Sequence, residues 1–85
     1  MKLSELREQI SQIDQDMLEL FIKRMEVSRL IGLYKKERHL PIFDERREKE
    51  IIDKQKALLN NPDLWPFYKP FIKELMNVSK EYQKK

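Results

Sequence analysis

Leu6, Ile10, Ile13, Met17, Leu20, Arg24, Val27 and Ile31 recur at spacings that alternate between three and four, the repeat of an apolar seam along a long helix. One member of that seam is an arginine. Ser4 is a suitable N-cap and no proline appears before Pro41, so the pattern predicts a first helix from about Ser4 to about Lys36, with Gly32 as its weak point. Arg38 to Ile42, containing Pro41, reads as a connecting loop, and Asp44 is placed to cap a second helix that runs to about Leu58. Ile51, Ile52, Leu58 and Leu59 give that helix an apolar stripe. The cluster Asn60, Asn61, Pro62 and Asp63 predicts a turn. A third helix then runs to about Gln83, with Pro66 in its first turn, Phe71, Ile72, Leu75, Met76 and Val78 as its apolar content, and Pro70 leaving its start open.

A first helix of this size spans about 50 Å at about 1.5 Å per residue. A compact monomer of this chain length has a radius of gyration of about 12 Å. Two short helices cover only part of such a seam, so the expected architecture is all-α, with one long and two shorter helices per chain in an intertwined homodimeric helical bundle. Residues 1–85 are expected to form a single domain.

Composition narrows the function classes. Of 85 residues, 39% are charged and 40% hydrophobic, with a single glycine, so no linker or low-complexity tail is expected. There is no cysteine, which removes disulfides and thiolate chemistry and suits a reducing, cytoplasmic setting. Apolar runs such as Met17–Ile22 are short and broken by Glu19, so no membrane span is expected. Lys2 leads into a polar, helix-periodic segment unlike a secretory leader. The net charge is +3, but 18 basic residues are interleaved with 15 acidic ones, the pattern of a solvated helical surface and not of a nucleic-acid binder.

Chemistry starts from Arg24. A cation on an apolar seam must meet an anion or water. Lys35 follows about three turns later on nearly the same face, roughly 16 Å away along the backbone. Between them lie Ser28, Ile31 and Gly32, a small-residue floor on which two long cations frame a space for a compact anion, with Gly32 leaving room. An intersubunit salt bridge for Arg24 and a solvated Lys35 fit the spacing equally well. Asp44, Arg47 and Glu48 share a face of the second helix, an arrangement most often found as an exposed ion-pair ladder. Ser79 and Gln83 share a face of the third, and Arg7 lies on the first; singly, each reads as a surface polar residue.

Taken together, Arg7, Arg24, Lys35, Asp44, Arg47, Glu48, Ser79 and Gln83 resemble the active-site set of the all-helical chorismate mutases. The surrounding strings agree: Leu6-Arg7-Glu8 with Ile10 and Asp14, Lys23-Arg24, Gly32 with Lys35, and Pro41-Ile42 ahead of Asp44. The resemblance covers essentially the whole chain. It implies an isomerase that converts chorismate, a small dicarboxylate, to prephenate by an intramolecular pericyclic rearrangement in aromatic amino acid biosynthesis, with no metal or cofactor. By the same resemblance, Arg24 clamps one carboxylate and Arg7 of the other subunit clamps the second, as planar guanidinium forks suit carboxylates. Arg47 adds positive charge, Asp44 and Glu48 hold the substrate hydroxyl, and Ser79 assists binding. Lys35 and Gln83 donate to the ether oxygen as the carbon–oxygen bond breaks, which places Arg24, Lys35, Glu48 and Gln83 in the catalytic set. Arg7 and Arg24 are roughly 25 Å apart along one helix, too far to share a small ligand within one chain.

Two rival classes fit the same helices. The isochorismate pyruvate lyases share the helical dimer, and a catalytically silent dimerisation or regulatory module needs no site. His39 reads as a surface loop residue. Trp65, Phe67, Tyr68 and Phe71 read as packing around the third helix and not as a stacking surface for bases.

Overall fold

In the computed structural model, which describes all residues from Met1 to Lys85, the chain is three helices with no strand: α1 (Leu3–Glu37), α2 (Glu45–Leu59) and α3 (Trp65–Gln83). α3 is the central element. It packs against both α1 and α2, while α1 and α2 make no direct helix–helix contact.

The helix ends follow from local chemistry. Lys2 is the N-cap of α1, not Ser4: Ser4 already lies in the first turn, and the Glu5 carboxylate accepts from the Lys2 backbone N–H at 3.2 Å. At the other end His39 adopts a left-handed φ of 54°. Its N–H and that of Leu40 bond to the carbonyls of Lys36 and Lys35, at 3.3 and 2.8 Å, the paired bonds of a Schellman turn. Asp44 caps α2 as expected, its carboxylate accepting from the Arg47 N–H at 3.0 Å. Asn60 closes α2 at φ 45°, and the Asn61 side chain accepts from the N–H groups of Asp63 and Leu64, each at 3.1 Å. α3 starts at Trp65 and runs straight through Pro70. Pro70 has no N–H to donate to the Pro66 carbonyl, and that turn is exposed.

The single chain buries very little. Only five residues are buried, namely Ser28, Gly32, Ile72, Met76 and Ser79. Every residue from Met1 to Lys23 is exposed, and the seam positions Leu6, Ile10, Ile13, Met17, Leu20, Val27 and Ile31 range from 42% to 63% exposed. The extents are 54 × 26 × 16 Å with a radius of gyration of 16.0 Å, against about 12 Å for a compact chain of this size. Alongside the seam, Met17, Leu20 and Phe21 of α1 and Phe71, Leu75 and Val78 of α3 border an apolar groove of about 600 Å³. The stripe expected on α2 is only partly used, since Leu58 is 68% exposed while Ile51, Ile52 and Leu59 are half-buried. On α3, Trp65, Tyr68 and Phe71 form a run of tilted ring pairs at 6.3 and 5.8 Å, and the Tyr68 hydroxyl donates to Gln55 at 2.9 Å, whereas Phe67 faces solvent. No helix is long and apolar enough to cross a membrane.

Candidate active site

Where the C-terminal half of α1 meets the end of α3 and the start of α2, a cleft of about 380 Å³ opens. It is the size of a pocket for a small organic ligand. Seven of the eight residues singled out in the sequence line it: Arg24 and Lys35 from α1, Asp44, Arg47 and Glu48 around the α2 N-terminus, and Ser79 and Gln83 from α3. The eighth, Arg7, is exposed near the far end of α1 and does not reach the cleft of its own chain.

Arg24 sits where the cleft and the apolar groove adjoin. Its guanidinium Nη1 is buried and has no hydrogen-bond partner in the chain. A buried cationic donor without a partner costs several kcal/mol, on the order of the penalty for breaking a buried ion pair. An anion placed at this point of the cleft would satisfy it.

Lys35 is half-buried, and its ammonium donates to the Ile42 carbonyl at 2.9 Å. Because the Lys35 carbonyl also accepts from Leu40, this one residue holds two points of the loop that carries Asp44 to the cleft. An ammonium has three donors, so two remain for a ligand. The Asp44 side chain spends one oxygen on its helix cap and keeps the other. Arg47 does not ladder with Asp44 and Glu48; its guanidinium lies 3.8 Å from Glu50 in an exposed pair of small energetic weight.

On α3, Ser79 is buried, contrary to the surface reading of its sequence position. Its hydroxyl is hydrogen-bonded to that of buried Ser28, and Gln83 Nε2 donates to Ser79 at 3.4 Å. The chain Gln83 to Ser79 to Ser28 pins the amide to the cleft wall, and Nε2 retains a second N–H. Gln83 Oε1 is buried without a partner.

Gly32 requires a correction. The sequence suggests that its missing side chain makes room for the ligand, but that room is filled by Gln83. A Cβ on Gly32 would lie 2.9 Å from the Gln83 carbonyl oxygen and 3.0 Å from its Cα. Gly32 thus admits the last turn of α3 against α1 and so delivers Gln83 to the site. Gly32→Ala is expected to lower thermal stability, because shifting the α3 backbone away from the new methyl costs more than the gain of about 0.5–1 kcal/mol in helix propensity. The same variant is expected to lower kcat about tenfold or more by moving the Gln83 donor off its position. Melting curves and steady-state kinetics check both halves.

Two cleft residues were not assigned roles from sequence. Ser28 was seen only as floor, and Lys80 was overlooked. Met76, Ser79, Lys80 and Gln83 fall at helical spacings on one face of α3, and with Ser79 and Gln83 in hand that stripe was the signal for Lys80. Away from the cleft, the exposed Glu26 carboxyl is held below its ordinary value by the hydrogen bond from Arg29.

The family described as "Chorismate mutase type II" matches residues 6–84, which takes in all three helices and every cleft residue. The chain belongs to the chorismate mutase type II family. Among curated proteins it is similar to the bifunctional chorismate mutase/prephenate dehydratase of Aquifex aeolicus (strain VF5), 40% identical over 53 residues. That alignment covers 62% of this chain and only 15% of the relative's length. No solved structure gives a significant match.

Proposed function

We propose that this chain is a chorismate mutase, with the α1–α2–α3 cleft as its active site. The observation that carries the reading is the buried, unpartnered Nη1 of the half-buried Arg24 in a cleft that also holds Lys35 and the Gln83 amide. The substrate is a compact dicarboxylate whose rearrangement breaks one carbon–oxygen bond and forms one carbon–carbon bond within the same molecule. Such a step needs no nucleophile and no proton transfer. It needs the extended substrate held in its compact, chair-like conformer, with donors placed where charge develops on the ether oxygen.

The residues divide that work. Arg24 clamps one carboxylate through a bidentate fork, and Lys35 and Gln83 donate to the ether oxygen. Glu48 and Asp44 accept from the ring hydroxyl, Arg47 raises the positive potential at the mouth, and Ser79 orients Gln83.

The active unit in this reading is an intertwined homodimer. The exposed seam on α1, the apolar groove beside it and the lack of any buried residue before Arg24 are what support it. Helices draw most of their stability from packing of an apolar face, and covering the exposed half of each seam side chain by a partner contributes about 1 kcal/mol. Antiparallel pairing of two α1 helices carries Arg7 of the partner to the cleft, where it clamps the second carboxylate. We place the enzyme in the cytoplasm, free of nucleic acid and membrane.

Purified protein incubated with chorismate is expected to consume it with stoichiometric appearance of prephenate. Release of pyruvate from isochorismate instead would turn the assignment to a lyase, and a folded dimer that consumes neither would point to a silent module.

A further inference from the structure

Lys80 on α3 is half-buried at the cleft wall, its ammonium 2.8 Å from Oε2 of Glu48 on α2. The same ammonium lies 4.7 Å from the centre of the Phe43 ring in the α1–α2 loop. The two charged side chains are 23% and 26% exposed, so the pair is much less screened than the other ion pairs of the chain, whose partners are 47% exposed or more. It is also the only ion pair that joins two helices.

Charge balance in the cleft gives the pair a purpose. Around Glu48 stand Arg24 and Lys35 from α1, Asp44 from the loop, Arg47 from its own helix and Lys80 from α3. Within one chain four cations face two carboxylates, and Arg7 of a second copy would add a fifth, so the cleft carries the net positive charge that a dicarboxylate ligand calls for. Arg47 is drawn toward Glu50, and Lys35 is engaged with the Ile42 carbonyl. Lys80 is therefore the cation that answers Glu48. Without it a bare carboxylate faces a dianion, and like charges at close quarters repel.

We infer that Lys80 is a positioning residue of the active site: it pins Glu48 through Oε2, leaves Oε1 to accept the substrate hydroxyl, and cancels a charge that would repel the substrate's carboxylates. The inference rests on the reading of the cleft as a chorismate site. Its distinctive consequence is that Lys80 acts through Glu48 and not on the substrate itself.

The test is a double-mutant cycle on chorismate turnover with Lys80→Met, Glu48→Gln and the combination, with Lys80→Arg as the conservative variant and helical content checked throughout. Lys80→Met is expected to raise KM about tenfold and to lower kcat by a smaller factor, whereas Lys80→Arg stays within about threefold of the parent. In the Glu48→Gln background the same Lys80→Met change is expected to alter KM by less than about twofold. An equal KM penalty in both backgrounds would make Lys80 a direct substrate cation, and no penalty in either would leave an idle ion pair; each result overturns the inference. NMR of the free protein gives a readout independent of turnover. The Lys80 ε-methylene signals are expected upfield, shifted by the Phe43 ring, and to return to ordinary values in Glu48→Gln. Unshifted signals in the parent would also overturn the inference. A parent with the shifted signals but no turnover of chorismate would instead contradict the assigned function.

Discussion

Arg24→Ala is expected to lower kcat/KM for the conversion of chorismate to prephenate by about 10²–10³-fold, about 3–4 kcal/mol of transition-state stabilisation. Its guanidinium Nη1 is buried and unpartnered at the junction of the cleft and the apolar groove. No carboxylate of the chain pairs with it, as Glu48 is taken by Lys80 and Glu50 by Arg46 and Arg47. A cation held in this state is costly to the free protein and is compensated only when the ligand arrives. Arg24→Met, which keeps most of the side-chain volume, is therefore expected to melt at or above the parent's temperature while losing turnover. If Arg24 served instead as a structural ion pair across the dimer, the variant would lose stability and keep near-normal kinetics. Melting curves beside steady-state rates separate the two.

Gln83→Glu has the second-largest expected effect and a diagnostic direction. An amide donates its N–H at any pH, but a carboxyl donates only while protonated. The variant's activity is therefore present below the titration of the new carboxyl and lost as pH rises through it. Near neutral pH the loss is expected to approach that for removal of one preorganised donor, about 10²–10³-fold, with recovery on acidification. The parent has no acid-dependent limb from this position. A pH–rate profile of the two proteins provides the check, and a variant as active as the parent at neutral pH would remove Gln83 from the reaction.

The helices were legible because their signals are local. The three-and-four spacing from Leu6 to Ile31, the Asp44 cap and the Asn60–Asp63 turn each declare themselves within a few residues, and the structure places them within a residue or two of expectation. Ser4 misled because Glu5 can reach back to Lys2 and start the helix earlier. Leu58 misled because an apolar residue at the right period can still face away from α3.

The site was legible in part. Arg24 stood out by being a cation on an apolar seam, yet spacing alone left it balanced between an anion site and a salt bridge. The structure adds that Nη1 has no partner within the chain, a three-dimensional fact that supports the anion site. The contacts of Ser79, Ser28 and Lys80 could not be read from their own elements, since each meets a residue on another helix: Ser79 meets Ser28, and Lys80 meets Glu48. Gly32 was singled out correctly but given the wrong occupant, because only the approach of α3 shows that Gln83 fills the gap.

At the centre of the account is a site built from two copies, with Arg24 from one and Arg7 from the other. Mixed dimers of Arg7→Ala and Arg24→Ala test it most directly, in a chorismate-to-prephenate assay. Each variant alone has a defect in every site. When they are unfolded together and reassorted at random, half of the dimers are mixed, and each mixed dimer carries one site with both arginines and one with neither. Activity is expected to rise from near zero to about one quarter of the parent's per chain. A mixture no more active than the separate variants would contradict the shared site.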